Sequence, residues 1–158
     1  TDRNPLKEAL VRTEPKVTTK PTAKVVFDDK IELVGWTMPA KVDRGDSFRM
    51  TLVFKVLAPV SGEWKVLGHI DRGARRFNGD HKPIDGRCAT TFWQTGDYIV
   101  DTFTVDAGDS TFPTGAYDVR IGFFQGGNGT FKNMRVSAAP AGMRTEDDRV
   151  RIGAIDVR

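Results

Sequence analysis

Residues 47–57 read SFRMTLVFKVL. Phe48, Met50, Leu52, Phe54 and Val56 share one parity, and Arg49, Thr51 and Lys55 share the other. Successive side chains of a strand point to opposite faces, so this alternation predicts a half-buried antiparallel strand with one face on a core. Only Val53 interrupts the polar side.

The same signal recurs outward in both directions. Upstream, VVFDDKIELVGWTM (25–38) places a turn at Asp28-Asp29-Lys30, with Ile31, Leu33 and Gly35 on one parity and Val34 and Trp36 on the other. PAKVDRGD then connects to the decisive strand. Downstream, PVSG is a turn, and EWKVLGHID carries Trp64, Val66 and Gly68 on one side. YIVDTFTV aligns Ile99, Asp101, Phe103 and Val105, and AYDVRIGFF aligns Tyr117, Val119, Ile121 and Phe123. GGNG is a hairpin signal with TFKNMRVS as its return. RVRIGAIDV closes the chain, with Val150, Ile152 and Ala154 in alternation.

Seven or eight strands follow one another without intervening helices, which excludes a parallel α/β sheet. One-sided strands must bury their apolar faces against a second layer. The expected fold is all-β, a two-sheet antiparallel β-sandwich of immunoglobulin-like or jelly-roll topology. Residues 25–158 form that domain, and residues 1–24 are expected to be a linker or tether. Within it, Asn4-Pro5 before LKEALVR is a helix-start pattern, with Leu6 and Leu10 on one face. TEPKVTTKPTAK has the Thr, Lys and Pro content of an extended linker.

At 158 residues the chain can bury a core without metals or disulfides. Its 24 Lys and Arg are interleaved with 21 Asp and Glu. RGARR (72–76) is the only dense basic cluster, and Asp71 and Asp80 dilute it, so no nucleic-acid partner is expected. Cys88 is the sole cysteine and reads as a small, semi-buried filler. No apolar run approaches a membrane span. The start at Thr1 points to a processed chain or a fragment.

Several segments together resemble the β-sandwich domain attached after the membrane part of bacterial polytopic glycosyltransferases that use lipid-linked sugars. These are WKVLGHID with His69, GDHKPIDG with Asp80, His81 and Pro83, and WQTGDYIVDTFTV with Trp93, Gly96, Asp97 and Asp101. PTGAYDVRIGFF adds Pro113, Gly115, Tyr117, Gly122 and Phe123, and RVRIGAIDVR resembles the closing strand. The resemblance runs from about Ile31 to Val157. The multi-span region that carries catalysis in such enzymes is missing from this sequence. The resemblance therefore implies an extracytoplasmic module, periplasmic or at a bacterial cell surface, joined to a membrane only through a tether outside this chain. Such a module would bind a protein partner of an envelope assembly or an envelope glycan, without catalysis and without a cofactor. A second implication is an accessory domain that positions a glycan or protein acceptor for a transferase.

The chemistry-bearing residues concentrate in 69–101. His69, Asp71, Asp80 and His81 would suit a divalent metal if they converged, which would make a small metal-dependent hydrolase. Asp80 equally suits turn chemistry, with His81 oriented by it, and the same cluster, His69, Asp71, Asp80 and His81, is a candidate contact for a sugar or other polar ligand. No spacing matches a metal signature, and Asp28, Asp29, Asp106 and Asp109 lack a calcium-loop pattern. Trp36 and Trp64 belong to alternating strands and read as core. Trp93, just before Gly96, is expected as a lid over one end of the sandwich and as the leading ligand contact, with Asp97 beside it. The end loops 72–97 and 106–115 are the expected binding surfaces. Asp101 shares parity with Ile99 and Phe103, so it must find a partner inside, from Arg120, Arg75 or loop backbone.

Overall fold

The computed structural model describes residues 9–127, 129–145 and 147–158. Twelve strands form two packed six-stranded sheets: β1 (Leu10–Val11), β2 (Val25–Phe27), β3 (Ile31–Thr37), β4 (Lys41–Val42), β5 (Ser47–Val56), β6 (Lys65–Arg72), β7 (Arg75–Asn78), β8 (Tyr98–Asp106), β9 (Gly115–Gly127), β10 (Thr130–Asn133), β11 (Val136–Ala138) and β12 (Val150–Val157). One sheet runs β1-β8-β5-β3-β2-β11. The other runs β4-β12-β9-β6-β7, with β10 paired to β9. The count exceeds the seven or eight expected because short edge strands carry no periodicity of their own.

The inner faces meet as the parity of 47–57 requires. Phe48, Met50, Leu52, Phe54 and Val56 are buried, as are Ile99, Phe103 and Val105 of β8 and Tyr117, Val119, Ile121 and Phe123 of β9. The chain crosses from one sheet to the other between β5 and β6, between β7 and β8 and again between β8 and β9. At the start of β9 the Tyr117 hydroxyl donates to the Pro113 carbonyl at 2.7 Å, the corner by which such sandwiches brace the turn into that strand. The strand pairs are antiparallel as expected except at one edge, where β4 runs parallel to β12.

Two bulges override the simple alternation. Register shifts between Leu33 and Gly35, so Ile31, Leu33 and Trp36 all reach the core although Trp36 has the opposite parity. It shifts again between Arg151 and Gly153. Val150, Ile152, Ile155 and Val157 are therefore buried, while Ala154, expected inside, faces out. One inserted residue turns every later side chain to the other face.

From residue 9 onward the N-terminal segment touches the sandwich at two places. Leu10 and Val11 pair with Ile99 and Tyr98, so this part of the expected helix is edge strand. The helix start at Asn4-Pro5, with Leu6, lies outside the described residues. Thr19 bridges Trp36 through two backbone hydrogen bonds, at 2.9 and 3.1 Å. A Cβ on Gly35 would stand 2.5 Å from the Val17 side chain and 2.6 Å from the Thr19 carbonyl, so the crossing requires glycine. Val53, paired opposite Gly35, is 1% exposed. The break in the polar side of β5 thus falls at a covered position of the outer face, opposite Gly35. Among the described residues no helix is long and apolar enough to cross a membrane.

Candidate functional site

The two histidines fall on opposite sides of the second sheet. In β6, Val66 and Ile70 face the core, so His69 and Asp71 face outward. After β7 the chain turns back against β6. The Gly79 amide donates to the Gly68 carbonyl at 2.7 Å, and Val66 and His81 exchange backbone hydrogen bonds. A Cβ on Gly68 would approach the Gly79 carbonyl to 3.0 Å, so the pair of glycines permits this close return. Asp80 is then held outside, where its Oδ1 accepts from the Gly68 amide at 2.9 Å and lies 3.4 Å from His69 Nε2. The next residue, His81, points inward.

His81 is packed against the Phe103 ring, with centroids 4.1 Å apart. Its Nδ1 donates to the Gly79 carbonyl at 2.7 Å, and its Nε2 meets Asp101 Oδ2 at 2.6 Å. A carbonyl can only accept, so Nδ1 carries a proton. Asp101, 0% exposed, also accepts from the Ile84 amide at 3.0 Å. Burial by itself lowers the histidine's affinity for its second proton. The Asp101 hydrogen bond and charge, the Gly79 carbonyl and Asp85 outweigh it, leaving the His81 pKa raised above 6.5. The imidazolium therefore persists to higher pH than in a free histidine. The inward carboxylate of β8 thus finds its partner in His81 and loop backbone, not in Arg75 or Arg120. Both ring nitrogens are occupied, so no free lone pair is left for base catalysis.

Two other expected contacts are structural. Trp93 is 4% exposed, stacked on Phe54 at 6.2 Å and edge-on to Phe123 at 6.2 Å, with its indole N–H donating to the Cys88 carbonyl. It seals the core, because the long connection 79–97 delivers the ring against Phe54 of one sheet and Phe123 of the other. No sugar can stack on it there. Asp97 is fully buried and accepts from Arg12 Nη1 at 2.8 Å and from the Gln94 amide at 3.0 Å. It fastens the N-terminal segment to the loop entering β8. The loop 106–115 is likewise clamped: Arg44 donates to the Ser110 and Phe112 carbonyls, and Arg75 to Thr111 while covering the Phe112 ring.

The outer face retains an accessible constellation. Arg76 makes a two-point pair with Asp71, at 2.7 and 3.0 Å. Arg149 donates to His69 Nδ1 at 3.0 Å, which turns the other ring nitrogen toward Asp80. Leu67, His69, Arg76 and Asp80 face Phe124, Phe131 and Asn133 across a cleft of about 270 Å³. Phe131 is 64% exposed, one of two large apolar side chains held open to solvent among the described residues. Thus three of the four proposed metal ligands lie on this face, and His81 does not. Among the described residues no three His, Cys, Asp or Glu gather in a metal-binding group. The hydrolase expectation loses its ligand set. Phe131, Asn133 and Arg76 were not singled out from the sequence. The available signal was a lone aromatic in a four-residue polar return strand, TFKN.

No family model matches the chain, and no curated protein matches it.

Proposed function

We propose that this β-sandwich is a recognition module that binds a glycan in the cleft between β6–β7 and β10. The observation that carries this is the exposed Phe131 ring set across one ring-sized cleft from Arg76, Asp80 and His69. A sugar presents an apolar ring face flanked by hydroxyls that both donate and accept. An open aromatic ring suits the first. A guanidinium beside a carboxylate suits the second, supplying donors and acceptors within one small space. The volume of about 270 Å³ falls just below the range typical of drug-sized ligands, which favours one terminal sugar unit. The module is read as non-enzymatic. The resemblance to sandwich domains of envelope glycosyltransferases supports an extracytoplasmic setting, in which the domain holds a glycan for a partner elsewhere.

The test is a glycan array probed with the wild-type chain and with Phe131→Ala. Binding of a defined terminal sugar, lost in Phe131→Ala while the melting temperature is kept, is the expected result. A blank array, or equal binding by both proteins, ends the glycan reading.

A further inference from the structure

A second cleft, about 360 Å³, opens on the outer face of the other sheet and owes nothing to the first. Ala9, Arg49 of β5, and Val100 and Thr102 of β8 form one side. Ile84, Asp85 and Arg87 form the other, carried by the 3-10 turn Pro83–Gly86 and the residue after it. Nearly every arginine in the described residues is committed to a carboxylate or a carbonyl. Arg49 alone makes no hydrogen bond or ion pair there, and Arg87 makes only a 3.4 Å bond to Ile84 of its own turn. Exposed arginines need no partner, but these two least committed guanidiniums line the same cavity.

The turn that carries Arg87 is held in an unfavourable shape. Ile84 (φ 53°) and Asp85 (φ 52°) are both left-handed, and a branched residue rarely adopts that conformation. It persists because the Ile84 amide is bound by Asp101, which is bound by His81. Backbone held out of its preferred region by a buried polar pair is found where a surface must be shaped for function.

We propose that this cleft binds a small carboxylate-bearing molecule, anchored by Arg49 and Arg87, with its short hydrocarbon part against Ala9, Ile84 and Val100. His81 and Asp101 are positioning residues that hold the turn in its binding shape. Asp85 on the rim disfavours multiply charged anions and leaves room for a single carboxylate. The charged groups facing His81 are Asp101 from β8 and Asp85 from the turn, both of which hold its proton. Binding therefore weakens as pH rises and the imidazolium is neutralised.

The experiment is an amide NMR titration of the full chain with sodium butyrate, against sodium chloride at matched ionic strength and against butanol. Butyrate should shift the amides of 84–87 and 100–102 and leave those of Phe131 and Asn133 unmoved. Arg49→Gln and Arg87→Gln should each weaken binding about tenfold or more, the scale of a lost charged hydrogen bond. Phe131→Ala should bind butyrate as the wild type does, which separates this site from the glycan cleft. Shifts reproduced by chloride or butanol, or unchanged affinity in the double arginine variant, would overturn the site. In the wild type, the pH midpoint of binding must follow the titration of the His81 ring. A different midpoint removes His81 from its positioning role, and His81→Gln, where it folds, should bind without that pH dependence.

Discussion

His69 and His81 begin alike, each near aspartates in one short stretch, and end on opposite sides of one sheet, His69 beside a part-exposed carboxylate and His81 beside a fully buried one. His69 lies on the outer face among Arg76, Arg149 and Asp80, in contacts that water can replace. His81 turns to the core side against Phe103, with the Gly79 carbonyl on one ring nitrogen and the buried Asp101 on the other, although its side chain is no less exposed than that of His69. The contrast teaches that residue type did not choose the role. The side of the sheet did, through the turn at Gly79 and Asp80.

The comparison can be broken most forcefully from the inside. Trp93→Ala should cost about 3–5 kcal/mol in chemical denaturation, as removal of a core indole does. If that variant kept full stability, the ring would not be sealing the core and its exposure as a ligand platform would return. His81→Ala should come next, at about 3 kcal/mol near pH 6, because it leaves the Asp101 carboxylate buried without its cation. The pH sign sharpens the point. The folded pKa of His81 is raised, so its stabilisation is fully present below about 6.5 and is lost as pH climbs through the folded value. The stability gap between wild type and His81→Gln should shrink over that alkaline interval, and a gap that widened would reverse the assignment of charge.

The outer face should yield the smallest effects. His69→Ala and Phe131→Ala are each expected to change stability by about 0.5 kcal/mol or less, since both contacts are partly or largely solvated. A loss of several kcal/mol at either would make that face architecture. The two regions would then cease to differ in kind.

Much of the fold was legible because it depends on local parity. The alternation in 47–57, 98–105 and 116–124 needs only neighbours along the chain, and all three stretches place their apolar side inward. The candidate cleft was half legible. His69, Asp71 and Asp80 were marked by their chemistry, whereas Phe131 and Asn133 come from a hairpin on the far side of β9 and meet them only across the sheet. Trp93 shows the converse, a residue marked by its chemistry whose ring the fold packs away to 4% exposure.

The sequence by itself determined that this chain is a sandwich of one-sided strands, that Trp36 and Trp64 are core, and that Asp101 had to be partnered inside. Tertiary structure alone decided which partner. A strand's period says which side a residue faces but not what arrives there from a distant segment. His81 reaches Asp101 because a crossing between sheets brings them together, and Ala154 faces out because one bulged residue before it reverses the parity. Long-range pairing and single-residue insertions have no local signature, so the identity of the buried pair and the make-up of both clefts belong to the folded chain.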